Sequence, residues 1–417
     1  MVVKKEIFFI TATVLLVYSG MTLIFPVLPF YLAKFGGDET EFGYAASAFA
    51  LAVLIFSPII GRIADRFGKV RVIGTSLLGY SIANYLFIFV GNYWHIVILR
   101  FFEGMTTAGV VPAAISIASD ISEESNRARS IAFVTAGVSA GIIIGPLIGG
   151  TLILTYPLSF PFVVSGTLAL LGAFAAFNLL KEPKVEHSET EDSNVSMMFD
   201  PQRAIDNLPK PLLAFAMVLI FQMVINISWL LIEPGFVYYF YDDLGYNSQQ
   251  FGLFVASYGA FVLVGEVFFG GLSDRFGRKI VIFIGSIIHG IFYIYLSYAT
   301  NLVNIILAGM VAGIGLGLIG PALNALVSEV CKPEKRTFVF GVVTAFAGIA
   351  QVAGPLTGGY VVDHGFPVTS LSLVSAGIVL GSALLVPFLN FVYPYDVDTQ
   401  NDVEELNQEN PYHNERN

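Results

Sequence analysis

Apolar runs of membrane length, twelve of them, limit what this chain can fold into more than any other feature. A helix needs about 20 apolar residues to cross a hydrocarbon core of ~30 Å. Inside that core every backbone N–H and C=O must find an internal partner, so runs of this kind fold as helices. They fall near residues 7–33, 41–61, 71–90, 94–119, 129–153 and 160–180, then near 211–241, 249–271, 280–299, 302–328, 337–362 and 369–392. Hydrophobic residues make up 55% of the 417 and charged residues only 12%, against about 25% charged in ordinary soluble chains. The expected fold class is an all-α membrane protein with twelve transmembrane helices. A polar stretch at 181–210 divides them into six-helix bundles at 1–180 and 211–392, and an acidic tail follows at 393–417. The first run follows Lys4 and Lys5 as in a signal peptide, but it is too long and lacks a small-residue cleavage site, so it reads as an uncleaved span.

The formal charge of −10 comes mainly from Glu182–Asp206 and from the tail, Asp396–Glu415. Neither segment has hydrophobic periodicity, and both read as solvated chain. With no basic field, nucleic acid is excluded as a partner. The single cysteine, Cys331, excludes an internal disulfide. Lys and Arg decide orientation, and they gather at the termini and in the even-numbered loops; only Lys34 lies in an odd loop and only Arg100 within a span. Both termini and the linker are therefore expected on the cytoplasmic side of a cell membrane.

One loop is written twice. Gly61-Arg62-Ile63-Ala64-Asp65-Arg66-Phe67-Gly68-Lys69 returns 209 residues later as Gly270-Gly271-Leu272-Ser273-Asp274-Arg275-Phe276-Gly277-Arg278-Lys279. The same offset carries Phe42-Gly43 onto Phe251-Gly252, Pro112 onto Pro321 and Asp120 onto Glu329, and it carries Gly145-Pro146 with Gly149-Gly150 onto Gly354-Pro355 with Gly358-Gly359. A unit of roughly 200 residues is present twice.

Two six-helix halves joined by a linker and bearing this loop resemble the major facilitator superfamily of secondary transporters, over essentially the whole chain. The family's pattern, Gly-x-x-x-Asp-Arg-x-Gly and two basic residues, is met in full by Gly270, Asp274, Arg275, Gly277, Arg278 and Lys279. The first copy, Gly61, Asp65, Arg66, Gly68 and Lys69, has Val70 in place of the second basic residue. The resemblance implies that these residues, with Asp120 and Glu329, control which side is open, Asp65 and Asp274 latching their loops against the opposite half when the cytoplasmic side closes. Gly141-x-x-x-Gly145-Pro146-x-x-Gly149-Gly150 is similar to an element associated with the family's antiporters; taken as residues alone it is a close-packing helix face. Its second copy has Ala350 for the first glycine.

In the fourth span Arg100-Phe101-Phe102-Glu103-Gly104 looks like the family's Arg-x-x-polar-Gly element, and Glu103 lies about 14 Å inside the membrane by helical rise. Ionisable residues at that depth are costly and are functional candidates by default; the alternative is an i,i+3 pair that neutralises itself and ties helices together. The repeat positions hold Gly309 and Ala312, so the architecture does not require the pair twice. In the seventh span Gln222, Asn226, Trp229, Glu233 and Phe240 fall within about 60° on a helical projection. Such a face is expected to line a wet cavity, where aromatic rings beside a carboxylate suit an organic cation. Ser19, Thr22, Asn324 and Gln351 are further candidates for the cavity wall. Glu233, about 12 Å below the outer end of its span, is the first choice for the proton-coupling carboxylate, and Glu103 the second. Glu266, whose repeat position is Ser57, is either a second proton site or the partner of an unseen donor, while His289, on the peripheral ninth span, reads as structural.

No phosphate loop, metal-ligand spacing or nucleophile with a base occurs in the sequence. No enzymatic activity, cofactor or metal is expected, and the energy for transport falls to an ion gradient. The reading is a functional monomer in the lipid bilayer, exchanging protons for hydrophobic or cationic organic small molecules by alternating access. A symporter or uniporter for a metabolite, or a non-transporting sensor or scaffold, are the alternatives. The drug-antiporter branch often has an acidic residue in the first span, whereas here the nearest is Glu6 at its cytoplasmic end.

Overall fold

Among the described residues of the computed structural model, twelve helices are long and apolar enough to span a membrane. The structure describes residues 5–123, 126–180, 182, 208–331 and 335–391, with the side chains of Asp65, Ala128 and Thr337 outside that description. In chain order the spans are Lys5–Leu23, Glu39–Ala64, Lys69–Phe89, Tyr93–Asp120, Arg129–Leu152 and Phe160–Leu179, then Leu212–Asp243, Ser248–Phe269, Arg278–Tyr298, Leu302–Glu329, Phe338–Asp363 and Val368–Phe388. The tail and most of the linker expected at 181–210 lie outside the described residues.

Proline breaks two of the runs that read as continuous. The first helix stops at Leu23 and a short helix, Leu28–Ala33, resumes beyond Pro26. The fourth span is interrupted between Thr107 and Val110, where the ring of Pro112 would crowd the carbonyl of Ala108. At the opposite ends of the helices the caps are duplicated. Asp38 and Glu41 form a capping box at the second span, and Asn247 and Gln250 form its counterpart at the eighth. Asn92 and Asn301 cap the fourth and tenth spans in the same way. Both loop motifs turn on a glycine with positive φ, +105° at Gly68 and +92° at Gly277, a region that other residues reach only under strain.

Within each half the first span packs on the fifth and the seventh on the eleventh; across the halves the second meets the eleventh and the fifth meets the eighth. The third, sixth, ninth and twelfth spans show large apolar side chains to the outside, among them Ile82, Phe174, Ile291 and Val374. Water would not tolerate so much exposed apolar surface, and lipid does. Among the described residues four hydrogen bonds cross between the halves: Thr40 to Asp363, Ser47 to Val352, Ser248 to Gly150 and Tyr241 to Pro26. All four lie at the end remote from the two loop motifs, so the halves are sealed together at that end.

Candidate functional site

A cavity of about 560 Å³ lies between the halves. Gln222, Asn226, Trp229 and Glu233 of the seventh span line it, since spacings of three and four residues put all four on one helix face. Phe240, assigned to the same stripe, is instead buried in the C-terminal core. Beyond Pro234 the helix widens, the Leu244 amide bonding the Tyr239 carbonyl five residues back, and the 100° register is lost. Glu266 of the eighth span, His289 of the ninth and Gln351 of the eleventh complete the polar wall on this side. From the other half come Arg100 and the rings of Phe25, Phe42 and Phe49.

Glu233 is 5% exposed and, among the described residues, makes no hydrogen bond and no ion pair. Arg100 lines the same cavity and forms no ion pair with it. The Arg100 guanidinium is already engaged, 2.8 Å from Glu103 and 4.4 Å from the centre of the Phe49 ring. Glu103 is wholly buried behind the wall, with Tyr80 and Asn84 of the third span beside it; its Oε1 and the Nε of Arg100 have no partner. The two carboxylates therefore differ in kind: Glu103 is held by a cation of its own half, and Glu233 faces the cavity alone.

Phe25, Trp229 and Tyr258 also line a second, almost entirely apolar cavity of about 270 Å³ that touches Tyr18, Pro146, Phe254 and Phe292. Thr22 lines this second cavity, and its hydroxyl is shared between the carbonyls of Tyr18 (2.7 Å) and Gly141 (2.9 Å). Ser19 is buried outside both cavities with its hydroxyl unpartnered, and Asn324 is exposed and lines neither. His289, expected to be structural, reaches the cavity because the tenth span is thin at Gly315, where a Cβ would press on the His289 backbone at 2.9 Å. The glycines around it, beside a histidine in an apolar helix, are the signal that could have found it.

In the fifth span, Cβ atoms at Gly141, Gly145 and Gly149 would collide with the first span, and one at Gly150 with the Ser248 carbonyl of the eighth. Pro146 borders the aromatic cavity. The loop-motif charges pair within their own halves: Lys69 with Asp120 at 2.7 Å, and Arg278 with Glu329 at 2.7 Å and with Asp274 at close range. Arg66 and Arg275 lie over their neighbouring phenyl rings, Gly61 faces open space, and Gly270 ends the eighth span. The side chain of Asp65 lies outside the described residues. The bare amides of Lys69 and Val70 at the start of the third span are capped by Glu182, at 2.5 and 3.0 Å. This corrects the reading of Glu182 as the start of a free linker: a carboxylate at a helix N-terminus gains charge-assisted hydrogen bonds.

The family model described as Major Facilitator Superfamily matches residues 10–232 and again 217–410. The Quinolone resistance protein NorA of Staphylococcus aureus (strain MSSA476) is 25% identical over 361 residues, covering 86% of this chain and 90% of that protein. Multidrug resistance protein 2 of Bacillus subtilis (strain 168) is 27% identical over 371 residues, with the same coverage of 86% and 90%. Among solved structures, a bacterial homolog of the human lysosomal transporter Spinster, inward-facing and unoccupied, superposes with a TM-score of 0.71 at 16% identity, over 93% of this chain and 96% of that one.

Proposed function

Because the chain belongs to the Major Facilitator Superfamily, we propose that it is a secondary transporter exchanging protons for hydrophobic or cationic organic molecules by alternating access. The observation that carries this reading is Glu233, a buried carboxyl with no partner on the wall of a cavity shared by both halves. A lone charge there is costly, so Glu233 holds either a proton or the cation of a bound molecule, and the two exclude each other. Phe25, Trp229 and Tyr258 line the cavity and supply rings for such a cation, and the cavity falls within the roughly 300–1,000 Å³ of small-molecule sites. Arg100 is already paired with Glu103, which argues against an anionic metabolite as the main cargo. The names of the two curated relatives, resistance to quinolones and to multiple drugs, point the same way.

The basic residues beside the loop motifs put that end in the cytoplasm by the positive-inside rule, so this conformation is closed outside and open inside. In it Lys69, Asp274 and Arg278 of the motifs pair within their own halves. Closing the cytoplasmic side would let Asp274 exchange Arg278 for a partner on the opposite half. Asp274→Asn is then expected to change the inward/outward balance while leaving substrate affinity within a few fold.

The deciding measurement is substrate flux in proteoliposomes under an imposed proton gradient. Glu233→Gln is expected to abolish gradient-driven transport and to flatten the pH dependence of substrate binding, with the fold intact. Normal pumping by Glu233→Gln, with loss in Glu103→Gln or Glu266→Gln, would move the coupling role to that other residue. Normal pumping by all three would remove proton coupling through these carboxyls.

A further inference from the structure

At the sealed end Asp38 and Glu39, which open the second span, meet Asp363, which closes the eleventh, with ligand oxygens all within 4.8 Å of one another. No linear motif announces this group, and the expectation that the chain has no metal site rested on such motifs. Two of the carboxylates belong to one half and the third to the other, so the cluster exists only while this end is closed. Among the described residues no lysine or arginine pairs with any of the three. His364 stands 3.8 Å from Asp363, but its Nδ1 is committed to the Tyr360 carbonyl at 2.8 Å. Asp38 accepts from the Thr40 amide and, as half of the capping box, from the Glu41 amide, and Asp363 accepts from the Thr40 hydroxyl; the Glu39 side chain bonds no other residue among those described.

A second observation separates this cluster from an ordinary acidic surface. Tyr238 of the seventh span is more than nine-tenths buried and its hydroxyl has no hydrogen-bond partner. It lies in the field of Glu39 first, then of Asp38, Asp242 and Glu41, with its ring edge-on to Phe42 one turn below the cluster. A buried, unpartnered hydroxyl beside these carboxylates offers a neutral oxygen to complete the site. Hard cations of the calcium type take 6–8 oxygen ligands at about 2.3–2.6 Å, from carboxylates, neutral oxygens and water, and oxygens spaced as these are can share one ion.

We propose that Asp38, Glu39 and Asp363, with the Tyr238 hydroxyl, bind a calcium-like divalent cation that clamps the two halves together at this end. The ion binds the closed arrangement and loses its ligand set when the halves part, so by differential affinity it holds the protein in the conformation described here. Transport that must open this end would slow as the cation rises. Nothing in this depends on which molecule the central cavity carries.

The test uses the full chain in lipid nanodiscs, titrated with calcium chloride and followed by isothermal calorimetry. Spin labels at Tyr156→Cys and Thr300→Cys, in a Cys331→Ser background, report the separation of the halves at the sealed end. The unlabelled protein is expected to bind one calcium with a Kd of about 0.1–1 mM, the range of weak extracellular sites. Binding should weaken at least tenfold in Asp363→Asn and in Glu39→Gln, and several-fold in Tyr238→Phe. Calcium should raise the short-distance population in the parent and not in Asp363→Asn. Circular dichroism melting establishes that each variant is folded. The proposal is overturned by absence of saturable binding up to about 10 mM, by equal binding in all three variants, or by binding that leaves the distances unchanged. A distance shift that follows pH and ignores calcium would show protons occupying the carboxylates, and would overturn it as well.

Discussion

Gly149 of the fifth span lies against the Leu23 carbonyl of the first, and Gly358 of the eleventh lies against the Leu231 carbonyl of the seventh. Gly43 meets the Pro355 carbonyl across the halves, and Gly252 meets that of Pro146. At these joints the two halves are copies. Their cavity faces are not. The joints at Leu23 and Leu231 set the spacing of the first and seventh spans at 208, one less than elsewhere, and this aligns Ile24-Phe25-Pro26 with Ile232-Glu233-Pro234. The unpaired carboxyl of one half stands where the other has a phenyl ring, and both side chains line the central cavity. Conversely, the buried Arg100–Glu103 pair has only Gly309 and Ala312 opposite it. Residues that set the helix-to-helix distance are held to one solution twice, while Phe25, Glu233, Arg100 and Glu103 lie at none of these glycine joints and differ between the halves.

The sharpest way to break this comparison is to fill a joint. Gly149→Val and Gly358→Val each drive a branched side chain into a neighbouring backbone carbonyl that has no room to retreat. Each is expected to cost about 3 kcal/mol or more, read as a large loss of folded protein on thermal melting in detergent. If one variant melts normally, the two joints are not equivalent.

The next test concerns a buried charge pair that lacks a copy. Arg100→Ala would leave Glu103 buried with no cation, a loss of about 3–5 kcal/mol. The double variant Arg100→Met/Glu103→Met should recover most of that stability, because two apolar side chains need no partner. Glu233→Gln should leave the melting temperature nearly unchanged, since Glu233 has no partner to lose. A strong destabilisation in Glu233→Gln would mean that this carboxyl is structural, and the contrast between the halves would fail.

How much of this was legible in the sequence follows from the range of the interactions. Span positions depend on local apolar content and could be read directly, as could the repeated loop. The polar stripe of Gln222, Asn226, Trp229 and Glu233 could be read because one straight helix carries it, and its projection failed at Phe240, beyond Pro234, where the helix geometry changes. The breaks at Pro26 and Pro112 were signalled by proline but hidden by continuous hydrophobicity. His289 required knowledge of which helix is thin enough to let it through. The meeting of Asp38 and Glu39 with Asp363 belongs to the three-dimensional arrangement alone, as does the return of Glu182 to the third span.

A gentler test of equivalence uses the caps. Asn92 accepts from the His95 amide and Asn301 from the Asn304 amide, in each case with an extended cap residue. Asn92→Ala and Asn301→Ala should each cost about 1 kcal/mol. Because they lie in different halves, the combined variant should lose the sum, read from shifts in the same melting assay. A markedly unequal pair would show that one fourth-type helix depends on its cap and the other on packing.

The smallest effect expected is at the ion pairs behind the loop motifs, and it distinguishes two copies that look alike. Lys69–Asp120 is a single contact of 2.7 Å between partly exposed side chains. In the other half Arg278 places Nε and Nη2 on one oxygen of Glu329 at 3.0 and 2.7 Å, and its Nη1 serves Asp274 and Ser273 as well. Exposed pairs couple by roughly 0.2–1 kcal/mol in double-mutant cycles, and a planar guanidinium held by several acceptors uses its geometry better than an ammonium does. The Lys69/Asp120 cycle should therefore fall near the bottom of that range and the Arg278/Glu329 cycle near the top. Raising ionic strength should erode both, because both are reached by solvent. Lys69→Arg tests the cause. If the guanidinium fork is what matters, this single change should bring the N-terminal coupling up towards that of the C-terminal half. If the coupling does not move, the difference lies in the surrounding helices, and the motif at Asp274 is held by more than Arg278.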